Sequence, residues 1–578
     1  MCGIIGYIGK KNSIPIIIEG LKNLEYRGYD SSGIAYLKDN KVSIVKEEGK
    51  ISKLESVLPK DISNIAIGHT RWATHGAPNK INAHPHKVGK ITLVHNGIIE
   101  NYQELKKFLI EKGYIFKSDT DTEIVAGVID YYYALDQDIH VTLSHLKDIV
   151  KGSYALAILV DGIDKIYAVK YKSPLIIGIT KDGYMLASDI PAILSETNKY
   201  IILEDNDICE ISDSLNIFNN YKKIKREELE YLDSYDSALK NGYAHYMLKE
   251  INEEPFLVDR LVGLLDKEKT INLKKYSNID IVACGSAYHA GLVGKYLIEK
   301  YLNIKTDVYI ASEYRYSKMF YNKKTLFISV SQSGETADTI ASLNLAKEHG
   351  IHTLGIVNTV KSTIARLSDE VLYINAGIEC AVATTKAYSL QCLMFAILVN
   401  KCLKKKYSLN NISKHMENLL TFDYKKIASK LYKKEDIFFI GRQIDYALTM
   451  EASLKIKEIS YIHSECYAAG ELKHGTISLI EKDTPVISII TDNNILDKTI
   501  SNLKEVKARG AYVLIVSSIN LDKYDDLYDD VIYIDKINDL VEPILAILPL
   551  QLLAYNVALL RGCDIDKPRN LAKSVTVE

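Results

Sequence analysis

The chain has 578 residues, 72 Lys+Arg against 74 Asp+Glu, 47% hydrophobic and 25% charged residues. That balance excludes a largely disordered chain, and a net charge of −2 shows none of the basic excess expected of a nucleic-acid binder. No apolar run is read as reaching the roughly 20 residues of a membrane span, the start MCGIIGYIGKKN lacks the pattern of a secretory signal, and eight cysteines without a CxxC pair fit a reduced, cytoplasmic setting.

In chain order, residues up to about 220 read as β-rich. Short β-branched runs at 41–45, 65–67, 91–94 and 155–159 are separated by Gly, Asn and Asp. Helices are expected over 13–24 and near 102–111. Residues 221–246 are strongly charged, show no obvious strand and read as a linker over 221–245. Beyond it, apolar strands alternate with helix-length segments, the pattern of a parallel α/β sheet. This part also repeats itself. The segments starting at Gly350 and Gly510, at Glu370 and Asp530, and at Leu326 and Val486 share one spacing of 160 residues. Two similar doubly wound halves are therefore predicted, 246–400 and 401–560, with 561–578 left as a tail. Ligands of such sheets bind at the carboxyl ends of the strands.

Cys2 carries the chemistry of the first part. Removal of Met1 would leave a thiol and a free α-amine on one residue. The thiolate is a nucleophile toward amide carbonyls, and an α-amine with a pKa of about 7.7–8.0 can serve as its base. The run CGIIG at 2–6 opens an apolar strand that would hold this terminus in place. Downstream come RWATHG at 71–76, HNG at 95–97 and SDTDTE at 118–123, with LEYRGYDSSG at 24–33. Read singly, HNG is also a turn signal and Asp121 could merely cap a helix.

Together these segments resemble the N-terminal-nucleophile glutamine amidotransferases, and within them the glutamine–fructose-6-phosphate amidotransferases. The resemblance implies an α+β glutaminase domain over 2–220, a four-layer αββα sandwich. It implies that Cys2 attacks the glutamine amide, and that Asn96 and the N–H of Gly97 form the oxyanion hole. Arg71 would grip the substrate α-carboxylate and Asp121 its α-ammonium. Trp72, Thr74, His75 and His84 would complete the pocket. Five histidines lie between 69 and 95, and His84-Pro85-His86 resembles a ligand pair, but no Cys or carboxylate of familiar zinc spacing accompanies it and the resemblance implies no metal or cofactor.

In the second part, SQSGET at 331–336 follows a strand at 326–330 and precedes a helix at 337–349, which gathers hydroxyls and N–H groups into an anion site. Cys284, Gly285 and Ser286 follow an earlier strand in the same way. Alternatively, these hydroxyls are ordinary helix caps. The resemblance implies that the second part is an α/β sugar isomerase domain binding phosphate through Ser331, Gln332, Ser333 and Thr336. Ala287 stands where the family often has Ser, which removes one hydroxyl contact. In the second half, Thr491-Asp492 replaces Ser331-Gln332, and an aspartate there would repel phosphate. The stretch EASLKIKEISYIHSECYAAGELKHG at 451–475 resembles the family's isomerase segment. Glu458 would then move a proton between C1 and C2 of the sugar, and His474 would open its ring. The tail KPRNLAKSVTVE at 567–578 is similar to the family's ending, and the resemblance implies Lys573 as the Schiff-base lysine, with Lys455 as a cation that lowers its pKa, and Ala572 and Val382 as substrate contacts.

The family's reaction turns D-fructose 6-phosphate and L-glutamine into D-glucosamine 6-phosphate and L-glutamate, the first step of hexosamine synthesis. Ammonia would pass between the sites through a channel gated by Trp72. A cytoplasmic homodimer without membrane or nucleic-acid partners is implied. Two other readings use the same modules: an enzyme breaking down sugar amines with a vestigial glutaminase, and a phosphosugar-sensing regulator.

Overall fold

A computed structural model describes residues 2–28, 30–72, 75–231, 240–266 and 268–576. Their contacts divide the chain into two units, 1–238 with 572–578, and 239–571.

The first unit rests on two antiparallel sheets. In one of eight strands, Gly3–Gly9 lies between Gly183–Ala187 and Ile65–Arg71, and Ile65–Arg71 pairs onward with Ser31–Lys38. In the other, of seven strands, Ile91–Ile99 lies between Gly152–Val160 and His86–Val88. The period of two along a strand decides what each face meets. Ile4 and Ile8 point into a core shared with Val94, Ala155 and Ala157 of the other sheet. Ile5 and Tyr7 point outward against Ile14, Ile17 and Leu21 of the helix Ser13–Leu24. On the far side, Ile91 and Leu93 pack against Leu105, Ile124 and Ile129 of the helices Tyr102–Glu111 and Asp121–Asp136. Helix, sheet, sheet and helix give the four layers implied by the resemblance.

The charged segment 221–245 does not behave wholly as a linker. Lys222–Ile224 and Glu228–Glu230 are short strands at the outer edges of the two sheets. Charged side chains are how sheet edges resist further pairing, so a charged strand there resembles a linker in sequence.

The second unit holds two five-stranded parallel sheets of one topology. The first runs Lys305–Ile310, Asn278–Ala283, Thr325–Ser331, His352–Val357, Glu370–Tyr373; the second runs His463–Ala468, Asp436–Gly441, Pro485–Ile490, Tyr512–Ser517, Asp530–Tyr533. Both share one apolar core with their helices. One helix, Glu542–Leu560, is long and apolar enough to cross a membrane, contrary to the reading that no run approaches that length; 89% of its most apolar window is buried inside the protein. It packs against Tyr246–Asp266, Lys386–Cys402, Ile412–Leu420, Tyr424–Leu431 and Ile444–Ser460, so no side of it is left for polar residues.

Candidate active site

The first site is built at the start of Gly3–Gly9. Ile4 exchanges backbone and hydroxyl bonds with Ser188, which keeps the terminus from fraying. The Cys2 carbonyl accepts from Arg27 Nε at 3.1 Å and from Asn96 Nδ2 at 3.0 Å. The Cys2 thiol donates to the Trp72 carbonyl at 3.5 Å and receives the Trp72 N–H at 3.3 Å. Burial pushes this thiol up, so the thiolate form needs a base. Arg27 is itself held by Asp189 at 2.7 Å and is almost fully buried. Its segment, 24–33, marks the resemblance in the sequence, but no role follows from it there, because Arg27 grips main chain rather than substrate.

Asn96 and Gly97 lie side by side on Ile91–Ile99. Gly97 has φ of 134°, and a Cβ there would stand 2.0 Å from the Ser153 carbonyl oxygen, so only glycine fits. Asp121 opens its helix, but Thr120 is the cap, accepting from the Glu123 N–H. The buried Asp121 carboxylate instead accepts from the Ile99 N–H at 2.9 Å, two residues beyond Gly97. Capping therefore does not account for Asp121. Arg71 is buried, and its guanidinium donates to the carbonyls of His75, Gly76 and Ala77, the last two at 3.1 and 3.3 Å. The fork expected to hold a carboxylate thus holds the loop that follows it. Thr74 lies outside the described residues. His75 sits edge-on to Tyr102 at 5.0 Å. His84 is a wall residue only indirectly: it is buried, stacks on His69 at 4.1 Å and accepts from the His95 N–H. Burial drives His69, His84 and His86 well below the ordinary imidazole range, His69 to about 3. Among the described residues no group of three or more His, Cys, Asp or Glu is arranged to hold a metal.

The second site lies in the second unit. Thr336 precedes the helix Ala337–Glu348, yet its hydroxyl makes no cap bond. It meets Ser331 Oγ at 3.0 Å, and Ser331 Oγ accepts from the Gly334 N–H at 3.0 Å. Ser333 Oγ takes the Glu335 N–H at 3.1 Å, and the Gln332 carbonyl accepts from Asn358. Gly334 has φ of 66°. Cys284 likewise precedes Gly285–Leu302 without a side-chain cap bond, with Gly285 at φ of 56°. The alternative of ordinary caps fails at both loops, and the helix N-termini remain electropositive.

Next to the 284 loop sits the group around Lys455 and Glu458 that the sequence singles out, joined by Glu451 and His289, to which the sequence assigns no role. Lys455 Nζ lies 3.3 Å from Glu451 and 2.5 Å from Glu458, with the Lys455 and Glu451 side chains 1% exposed. Ser286 Oγ donates to Glu451 at 2.8 Å and accepts from Lys455 at 3.1 Å; His289 Nδ1 meets the other Glu451 oxygen at 2.8 Å. Burial alone would raise the Glu451 carboxyl, but Lys455 and His289 bring it below the ordinary carboxylate range. Burial alone would lower Lys455, and the two carboxylates raise it instead. Its charge is therefore balanced locally, and Ser286 has its one proton committed to Glu451. Val382 donates its N–H to the Asp566 carbonyl at 3.0 Å, while the Asp566 carboxylate caps the N–H groups of Tyr246 and Met247. His474 is exposed at the end of Leu472–His474. Ala572 and Lys573 are half-buried and group with the first unit.

Comparison with known proteins agrees on both parts. A family described as "Glutamine amidotransferase domain" matches residues 73–195, and "SIS domain" matches 272–401 and 430–561. A glutamine–fructose-6-phosphate aminotransferase (isomerizing) from Clostridium tetani is 47% identical over 610 aligned residues covering all of both chains, and one from Thermus thermophilus is 40% identical over 606, again covering both. The chain belongs to the glutamine–fructose-6-phosphate aminotransferase family. The solved C-terminal domain of the Francisella tularensis glucosamine-fructose-6-phosphate aminotransferase is 36% identical, covers 57% of this chain and all of its own, and has a TM-score of 0.51. Family membership thus joins an amidotransferase domain to two sugar isomerase halves, as the two units do.

Proposed function

We propose that this chain transfers the amide nitrogen of L-glutamine to D-fructose 6-phosphate, giving D-glucosamine 6-phosphate and L-glutamate. The observation that carries this reading is the placement of Cys2, whose main chain is gripped by Asn96 and Arg27 while its thiol faces Trp72. With Met1 removed, the α-amine of Cys2 takes the thiol proton as sulfur attacks the amide carbon. The tetrahedral oxyanion is met by the second N–H of Asn96 and by Gly97 N–H. A donor of this kind is worth about 2.7–4 kcal/mol of barrier. The Cys2 α-ammonium returns that proton to the amide nitrogen, the C–N bond breaks as ammonia leaves, and water releases glutamate from the thioester. Arg71 turns from its loop carbonyls to the substrate carboxylate, Asp121 takes the substrate α-ammonium, and Trp72 and His75 close over the substrate.

In the isomerase part the 331–336 loop and the Cys284–Gly285 turn hold the phosphosugar, with Val382 and Ala572 beside it. His474 opens the ring, Lys573 forms an imine with C2, and Glu458 carries the proton between C1 and C2 once ammonia has displaced the lysine. Ammonia is kept from water between the two reactions, because ammonium is no nucleophile. A homodimer in the cytoplasm is part of the same reading.

The test is a coupled assay of glucosamine 6-phosphate formation with mass spectrometry of the N-terminus. Cys2→Ala is expected to make no aminosugar from glutamine, and Lys573→Ala to lose the sugar product while retaining glutaminase. Full activity in protein that keeps Met1 or carries an acetylated terminus would overturn the first half of the reading.

A further inference from the structure

The geometry points to His69 as the residue that sets which way the Asn96 carboxamide faces, an inference that rests on Asn96 being an oxyanion donor. His69 lies in the strand Ile65–Arg71 and is wholly buried. Its Nε2 sits 2.9 Å from the His95 carbonyl oxygen and 3.1 Å from Asn96 Oδ1. A carbonyl can only accept, so Nε2 carries the hydrogen and shares it between the two oxygens. Among the described residues His69 Nδ1 has no partner, so nothing there draws the hydrogen to the other side of the ring. Burial, with His95 and Arg71 nearby, keeps the ring neutral, and stacking on His84 holds its plane.

At its other end the Asn96 amide donates through Nδ2 to the Cys2 carbonyl. Both ends therefore assign the same orientation. Turned over, Oδ1 would face the Cys2 oxygen and Nδ2 would face the imidazole N–H, and two bonds would become two like-against-like contacts. His69 is thus a positioning residue: it never meets substrate, and it acts by keeping an N–H, rather than an oxygen, directed at the reacting carbonyl. Of the five histidines between 69 and 95, this one has a defined task.

The test is a double-mutant cycle on full-length enzyme, reading glutaminase kcat and KM for glutamine separately. His69→Leu is expected to lower kcat by about 10-fold or more with KM within about 2-fold, and His69→Gln, which restores an N–H donor, to recover most of it. In an Asn96→Ala background, His69→Leu should cost less than about 2-fold further. An equal loss in both backgrounds, or no recovery with Gln, overturns the inference while leaving the oxyanion reading intact. If Asn96→Ala itself leaves kcat unchanged, it is the oxyanion reading that falls. Should His69→Leu not fold, nitrogen NMR of the histidines in the unmodified protein decides: an Nε2–H tautomer at neutral pH is expected, and an Nδ1–H or charged ring overturns the inference.

Discussion

The two halves of the second unit share a strand order and a spacing of 160 residues, yet their corresponding loops do opposite things. After Thr325–Ser331, the hydroxyls of Ser331 and Thr336 bond to each other and leave the following helix uncapped. After Pro485–Ile490, both the N–H and the hydroxyl of Thr491 are consumed by the buried carboxylate of Asp445, at 3.0 and 2.6 Å. The second half has thus filled its own anion position from within. A duplicated sheet supplies the place; one side chain decides whether the place is open to a ligand. Asp492, read from the sequence as the group that would repel phosphate, accepts from the Asn494 N–H at the turn that follows and stands close enough to Asp445 to oppose its ionisation.

Three substitutions break or sharpen that contrast. Ser331→Asp puts an anion into the loop that the second half closes with Asp445, and should raise KM for fructose 6-phosphate more than about 100-fold, which steady-state assays check while glutaminase stays intact. Asp445→Asn removes the internal anion. Burial, then Asp492 and Glu542, push Asp445 up to about 7, above an unfolded value of about 3.9. Its stabilising contribution is therefore fully present below about pH 4 and is lost as pH rises toward 7. Thermal melts of the variant should lack that part of the fall, on the order of a few kcal/mol, over the same window. Thr491→Val leaves Asp445 without its donor hydroxyl and should cost about 1–3 kcal/mol of stability, with fructose 6-phosphate kinetics unchanged. A sugar-binding defect in that last variant would mean that the second half is not closed after all.

The repeat was legible because parallel strands buried on both faces are continuous apolar runs, whose spacing survives sequence change. The helices Ser13–Leu24 and Tyr102–Glu111 stand where the apolar periodicity puts them. What sequence alone does not show is of three kinds. The strands Lys222–Ile224 and Glu228–Glu230 are edge strands, whose charges hide them. Glu542–Leu560 is interrupted by prolines and polar residues, so its length as one apolar helix is easy to overlook. Arg27, His69 and Glu451 act on main chain, on Asn96 and on Lys455, and partnership of that kind is a property of three dimensions. Arg71 belongs here too: its chemistry is readable, but its bonds to the 75–77 carbonyls are not.

The burial of Glu542–Leu560 over all but its last turn has a consequence for biosynthesis. Helices as early as Tyr246–Asp266 are built to pack on a segment that the ribosome delivers some 300 residues later. During translation their apolar faces stay uncovered for some 300 residues of synthesis, at about 5–20 residues per second a delay of tens of seconds. The first unit has no such debt to the distal chain for its two sheets, so nascent protein is expected to present those two sheets folded while the second unit is still unfinished and dependent on chaperones, and a premature stop before residue 542 to yield aggregates rather than a shortened enzyme.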